Sequence, residues 1–213
     1  MSVHLPTPSL WTAEVSTTYS GRNARGTTSW SNALFANRSA DTSFDYSGTP
    51  YASIAFDYDD DDLDLFITDV GGPAGLMENV VNEDTPDVPR LLNRAGDEFA
   101  LGEEPRENRG ASAADYDNDG RIDLFVSGLA TPKLYRNTGS QPAFTDVSAS
   151  IGVSFSSAAD SSWTGAWGDY DRDGHVDLYV GRASGDDAEP TGPIVDRLFR
   201  NLGNGEFQTS ALL

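Results

Sequence analysis

The sequence predicts an all-β protein made of β-propeller blades of four antiparallel strands, with about three and a half to four blades visible. An acidic motif followed by an apolar run recurs at a period of roughly 55 residues, which is typical of solenoids and propellers. Each recurrence contains four short segments with strand-like patterning, and no segment shows a sustained helical period with a cap at both ends.

The acidic motif is clearest at residues 115–126, which read DYDNDGRIDLFV. DYDRDGHVDLYV at 169–180 repeats it almost position for position, and DYDDDDLDLFI at 57–67 is a looser copy. Small residues precede each motif, as in RGASAA and WTGAWG, and indicate the first strand of the unit. The run after each motif is apolar at successive positions, which is typical of a strand covered on both faces. The motif is therefore expected to join the first two strands of a blade.

A second signature follows each acidic motif and predicts a third strand, a turn with glycine, and a fourth strand. Its copies are RLLNRAGDEF at 90–99, KLYRNTGSQPAFTDV at 133–147 and RLFRNLGNGEF at 197–207, with a solitary copy ALFANRSADTSF at 33–44. We therefore expect repeats at 50–103, 108–150 and 162–211, a partial blade at 30–49, and a tail or degenerate half blade at 1–29. Such a set corresponds to a partial or open propeller, a fragment of a longer one, or half of a larger ring closed by a homodimer.

Composition excludes several function classes. The 213 residues include 34 acidic and 14 basic side chains, and the net charge of -20 disfavours nucleic acid and anionic membranes as partners. The chain contains no cysteine, so disulfides, thiolate metal sites and thiol nucleophiles are excluded. No apolar run is long enough to span a membrane, and the N-terminus lacks the basic and apolar regions of a signal peptide.

The acidic motif has the ligand pattern of a calcium loop. Carboxylates at positions 1, 3, 5 and 9 point to one centre, a glycine at position 6 permits the sharp turn, and the carbonyl at position 7 completes an all-oxygen shell. In the second unit these ligands are Asp115, Asp117, Asp119 and Asp123 with the carbonyl of Arg121. In the third unit they are Asp169, Asp171, Asp173 and Asp177 with the carbonyl of His175. Calcium accepts more protein oxygens than magnesium does, and is therefore the expected ion.

The first motif departs from this pattern, because it has no glycine and is one residue shorter. Asp57, Asp59 and Asp61 can still converge, with either Asp62 or Asp64 completing the shell, which would make a third calcium site. The alternative for all three motifs is a solvated turn, since aspartate, asparagine and glycine are common turn residues. An EF-hand is excluded, because position 12 is a valine in the second and third motifs rather than a glutamate.

At these residues the chain resembles the FG-GAP/VCBS repeat family, whose acidic loops also occur in integrin α-subunit propellers. The pairing of DYDNDGRIDLFV with LYRNTG is similar to the cartilage-acidic-protein/ASPIC-UnbV group. The resemblance covers residues 30–211 and implies calcium in the acidic loops, an extracellular or periplasmic location, and a role in adhesion, ligand binding or carbohydrate recognition. Arg94 departs from the pattern, since it stands where the other units have Asn137 and Asn201.

The sequence favours binding over catalysis. No G-x-S-x-G elbow, P-loop or H-E-x-x-H motif occurs, and the densest carboxylate clusters are already assigned to metal. Two long connections, at 69–90 and 181–197, are expected to join second and third strands and to contact a protein or carbohydrate ligand, although they can equally be variable spacers. Trp163 and Trp167 either stack on a sugar or belong to the core. The alternatives to a binding or adhesion module are a lectin or carbohydrate-active propeller and a structural repeat segment of a larger protein.

Overall fold

The computed structural model describes three four-stranded antiparallel sheets and a separate strand pair, and no helix occurs among the described residues. The described residues are 17–19, 30–32, 46, 48–80, 90–94, 108–128, 132–140, 143–153, 162–182 and 196–211. This architecture confirms the predicted all-β class and the four strands of each unit.

Each sheet is formed by strands that follow one another in the chain, and each neighbouring pair is antiparallel. The first unit comprises β3 (Pro50–Phe56), β4 (Asp64–Asp69), β5 (Gly75–Val80) and β6 (Arg90–Asn93). The second comprises β7 (Asn108–Ala114), β8 (Asp123–Gly128), β9 (Lys133–Asn137) and β10 (Phe144–Asp146). The third comprises β11 (Ser162–Gly168), β12 (Asp177–Arg182), β13 (Arg197–Asn201) and β14 (Phe207–Ala211). A strand pair of β1 (Thr17–Tyr19) and β2 (Trp30–Asn32) lies on the two sides of the boundary expected at residue 29.

The strand boundaries correct one sequence prediction. The third strand of the first unit is GLMENV at Gly75–Val80, and RLLN at Arg90–Asn93 is the fourth strand. In the ladder Leu65 pairs with Met77, just as Leu124 pairs with Tyr135 in the second unit. The residue equivalent to Asn137 is therefore Asn79, and the prediction that Arg94 occupies this position is wrong. The predicted connection at 69–90 is also interrupted by β5, which leaves a short link at 70–74.

Two apolar clusters pack the units against one another. Between the first and second units, Phe56, Phe66 and Leu76 contact a face formed by Leu124, Val126, Tyr135 and Phe144. Between the second and third units, Tyr116, Phe125 and Leu134 contact a face formed by Leu178, Val180, Phe199 and Phe207. Fully burying such side chains contributes roughly 1.5–3 kcal/mol each, so these interfaces are the main cohesive element of the described fold.

Among the described residues, no helix is long and apolar enough to cross a membrane.

Candidate metal centres

An acidic loop joins the first and second strands of each unit, at 57–63, 115–122 and 169–176. The fourth residue of each loop has a left-handed backbone, with φ values of 69° at Asp60, 57° at Asn118 and 65° at Arg172. The predicted turn glycines, Gly120 and Gly174, have φ values of 89° and 90°, which side chains other than glycine rarely adopt. The first loop lacks this second left-handed residue, because it has no glycine and is one residue shorter.

The first aspartate of each loop folds the turn by accepting backbone hydrogen bonds. Asp115 accepts from the amides of Asp119 and Gly120 at 3.0 and 2.9 Å, and Asp169 accepts from Asp173 and Gly174 at 3.0 Å each. In the shorter first loop, Asp57 accepts from the amide of Asp60 at 2.8 Å. The loops are thus held by carboxylate-to-backbone bonds, and each carboxylate oxygen has a second lone pair that can accept a further bond or contact a cation.

The last aspartate of each motif is buried at the start of the second strand. Asp123 accepts from the amides of Tyr116 at 3.0 Å and Asn137 at 2.8 Å, and its burial raises its pKa to about 7. Asp177 accepts from Tyr170 and Asn201 in the same way, at 3.0 and 2.8 Å.

Asp64 occupies the same place in the first unit, despite the missing residue. It accepts from the amides of Tyr58 at 3.2 Å and Asn79 at 2.9 Å, and burial raises its pKa to about 6. The shortened loop therefore still delivers its last aspartate to the structural position of Asp123.

Three groups of carboxylates are close enough to share one cation. In each group one oxygen from every member lies within 4.8 Å of the others, and the groups are Asp57 with Asp59 and Asp61, Asp115 with Asp117 and Asp123, and Asp169 with Asp171 and Asp177. Asp117 Oδ1 is buried and has no hydrogen-bond partner in the described part of the chain. A buried, unsatisfied carboxylate oxygen in an all-oxygen donor set fits a hard divalent cation such as calcium.

The fifth-position aspartates of the second and third loops, Asp119 and Asp173, are not members of these groups and pair with arginine. Arg136 contacts Asp117 at 2.9 Å and Asp119 at 3.2 Å, and Arg200 contacts Asp171 at 2.5 Å and Asp173 at 3.0 Å. These arginines come from the third strands, from the residue before the signature asparagine. The sequence analysis did not predict these ion pairs. The repeated Arg-Asn dipeptide, at residues 136–137 and 200–201, is the sequence feature that could have indicated them.

The first unit carries the opposite charge at this position. Glu78 in β5 is equivalent to Arg136, and it pairs with Arg94 from the end of β6. Burial is the largest cause that raises the pKa of Asp59 to about 7, followed by a hydrogen bond that the protonated Asp59 donates to Asp61 and by the surrounding negative charges. The first unit has no arginine at the position of Arg136 and Arg200. The negative charge of the first loop is therefore less compensated than that of the other two loops in the absence of a metal.

Two residues are predicted ligands through their backbone carbonyls, and the side chains of both make contacts of their own. Arg121 Nε donates to the carbonyl of Asn137 at 3.0 Å, and its guanidinium also pairs with Asp119. His175 Nδ1 lies 3.0 Å from Asn118 Nδ2, so the third loop touches the second. Metal coordination by the two carbonyls stays a prediction.

The signature asparagines link consecutive units, which sequence reasoning did not anticipate. Asn137 Nδ2 donates to the carbonyl of Tyr58 in the first loop at 2.7 Å. Asn201 Nδ2 donates to the carbonyl of Tyr116 in the second loop, also at 2.7 Å. Both asparagines are 1% exposed, so each bond lies in a dry junction between units.

The predicted ligand-binding loops lie largely outside the described residues. Of the connection at 181–197, residues 183–195 are not described, and of the segment at 69–90, residues 81–89 are not described.

At the opposite end of the first strands from the acidic loops, Trp163 is 40% exposed and Tyr51 53% exposed. The Arg109 guanidinium lies 4.6 Å from the Trp163 ring centre and 5.9 Å from that of Tyr51. Trp167 packs against Phe207 instead, so it belongs to the core.

Comparison with known families agrees with this geometry. Residues 115–180 match the family model described as an FG-GAP-like repeat. The match runs from the first aspartate of the second loop to β12, and it therefore includes the second and third acidic loops. No curated protein sequence matches the chain. The resemblance to FG-GAP-like repeats is confirmed, and this segment of the chain carries such repeats.

Proposed function

We propose that the chain is a calcium-binding, non-catalytic repeat scaffold of the FG-GAP-like kind, and that calcium stabilises its units. The observation that carries the proposal is the geometry of the second and third loops, where three carboxylate oxygens from each loop lie within 4.8 Å of one another. A cluster of like charges at this spacing opposes folding unless a cation neutralises it.

In the second unit, Asp115, Asp117 and Asp123 would hold the ion, and the buried Asp117 Oδ1 would gain its missing partner. In the third unit, Asp169, Asp171 and Asp177 would hold it, and in the first unit Asp57, Asp59 and Asp61. The ion would supply the positive charge that fixes each loop between its two strands. The arginines already beside Asp117 and Asp171 supply part of that charge, so the first loop is expected to depend on calcium most strongly.

Thermal unfolding with and without calcium tests the proposal. We expect calcium to raise the melting temperature, EDTA to lower it, and equimolar magnesium to have a smaller effect, because magnesium retains its water ligands. The double variant Asp117→Asn with Asp171→Asn should lose most of the calcium response of the second and third units. Glu206→Gln, an exposed turn substitution that removes the same type of charge, is the control. A melting curve unaffected by calcium and EDTA would refute calcium stabilisation.

A scaffold role is supported by the buried aspartates of the acidic motifs, because these side chains bind the protein backbone. Asp64, Asp123 and Asp177 each accept two backbone amides, which gives these buried carboxylates a structural role at the start of the second strands. We propose that a protein or carbohydrate ligand binds the predicted loops at 69–90 and 181–197. We also propose that the protein lies outside the cell or in the periplasm. Fractionation of the producing cells with a specific antibody would test the location, and recovery in the cytoplasm would contradict it.

A carbohydrate ligand is the second candidate, favoured by the exposed Tyr51 and Trp163 beside Arg109. Aromatic faces pack against sugar rings. A glycan array with and without calcium tests this candidate, with Trp163→Ala compared with Leu202→Ala as an exposed control. Equal glycan binding by both variants would exclude the aromatic site.

A further inference from the structure

The third unit has an apolar face that is the structural equivalent of two buried faces. Phe66 pairs with Leu76 in the first unit, Phe125 with Leu134 in the second, and Tyr179 with Leu198 in the third. The first two pairs are at most 1% exposed, because the next unit in the chain covers them. The pair Tyr179 and Leu198 is only half-buried.

The loop tyrosine beside each of these pairs shows the same contrast. Tyr116 is 3% exposed in the junction between the second and third units, whereas Tyr170, its equivalent, is 54% exposed. Tyr170, Tyr179, Leu198 and Ala166 line an open groove of about 420 Å³. A contiguous apolar groove of this kind on a repeat unit is typical of an interface with another unit.

A backbone acceptor on this face identifies its occupant. In both existing junctions, a signature asparagine of the following unit donates to the carbonyl of a loop tyrosine, from Asn137 to Tyr58 and from Asn201 to Tyr116. The equivalent carbonyl is that of Tyr170, and no side chain in the described part of the chain donates to it. The groove therefore matches a unit that presents an asparagine after an aromatic third strand.

We propose that this face of the third unit docks a further repeat unit of the same kind, which packs on the third unit as the third packs on the second. Both existing junctions join consecutive units in the same direction, so a following unit continues an interface already present twice. The partner would supply apolar side chains in the manner of Leu178, Val180 and Phe199, and an asparagine that donates to the Tyr170 carbonyl. A second copy of the chain that uses the same face would bring two tyrosine carbonyls together and no asparagine, so it fits less well.

An extended chain tests the proposal. A copy of residues 147–211, the third unit with its preceding linker, is appended after Leu213, and Leu198→Ala is introduced into the original third unit only. In the unextended chain we expect this substitution to change the melting temperature little, because Leu198 has no covering unit. In the extended chain it should lower the melting temperature by at least about 4 °C, as expected for a newly buried leucine. Leu202→Ala, at an exposed turn residue of the same unit, is the control and should have no effect in either chain.

Further measurements make each outcome decisive. Asn201→Ala in the appended copy alone should reduce the stability gained by extension, because it removes the donor to the Tyr170 carbonyl. Equal effects of Leu198→Ala in both chains, or an appended unit whose amides exchange freely with solvent, would overturn the proposal. A concentration-dependent dimer of the unextended chain that Leu198→Lys abolishes would also overturn it and make a second copy the occupant. All comparisons use one calcium concentration, so a failure of calcium binding would not affect them.

Discussion

Replacement of Asn201 by alanine should remove hydrogen bonds at the junction between the second and third units. We expect the free energy of unfolding to fall by a large fraction of its total. The side chain donates to the carbonyls of Tyr116 at 2.7 Å and Val176 at 3.1 Å, and it accepts from the Gly203 amide at 3.0 Å. Each buried bond contributes about 1 kcal/mol net, so the three together amount to roughly 3 kcal/mol. For a chain of this length, that loss corresponds to a decrease in melting temperature of about 6–12 °C.

Thermal unfolding followed by circular dichroism in the presence of calcium measures this effect. Asn201→Asp is the more specific variant, because it keeps the acceptor for Gly203 but loses the donor that crosses between units. Asn204→Ala is the matched control, since Asn204 lies in an exposed turn of the same unit and accepts only from the Glu206 amide. If Asn201→Ala costs no more than Asn204→Ala, the asparagine does not hold the units together and the reasoning is refuted.

Three further predictions concern the acidic loops. Arg200→Gln should lower the melting temperature in EDTA and enlarge the increase in melting temperature that calcium causes. Arg172→Asn removes the same charge at a residue with a left-handed backbone and should have neither effect. Equal responses of the two variants would contradict a role for the pairing of Arg200 with the aspartates of the third loop. Because burial raises the folded-state pKa of Asp123 to about 7, the contribution of Asp123 to stability in EDTA should be fully present below about pH 4 and be lost as the pH rises through about 7, and calcium should suppress this loss. The difference in melting temperature between the native chain and Asp123→Asn measures this contribution, and a difference that does not change with pH in EDTA would contradict the prediction. Gly174→Ala should cost roughly 1–2 kcal/mol because of the positive φ, unlike Gly168→Ala, and chemical denaturation compares them.

The periodic features of the fold could be predicted from the sequence because the residues that determine them are close together within each repeat. The small-residue strand, the acidic loop and the apolar strand are contiguous in the chain, so their order and spacing determine the structure directly. The turn glycines Gly120 and Gly174 were predicted for the same reason. The sequence predicts that the fifth-position ligands Asp119 and Asp173 join the carboxylate groups, but in the structure they pair with arginines that are distant in sequence.

The third strand of the first unit was mispredicted because RLLNRAG resembles the signature more closely than GLMEN does. The distance from the buried aspartate to the asparagine does not separate them, since it is 15 residues from Asp64 to Asn79 and 14 from Asp123 to Asn137, but 24 from Asp177 to Asn201. The links from Asn137 and Asn201 to the preceding loops span 79 and 85 residues. Contacts at such separations follow from the stacking of units and have no local signature.

The bond from Asn201 to Tyr116 has a consequence for how the units communicate. The Tyr116 carbonyl belongs to the residue between Asp115 and Asp117, two members of the second carboxylate group. An ion held by those carboxylates would therefore also order the acceptor that the third unit requires, and the Asn137 bond to Tyr58 repeats the arrangement one unit earlier. If the proposed ion binds, occupancy of one loop and attachment of the next unit are linked equilibria, and neighbouring units should become more or less stable together as the concentration of the ion changes.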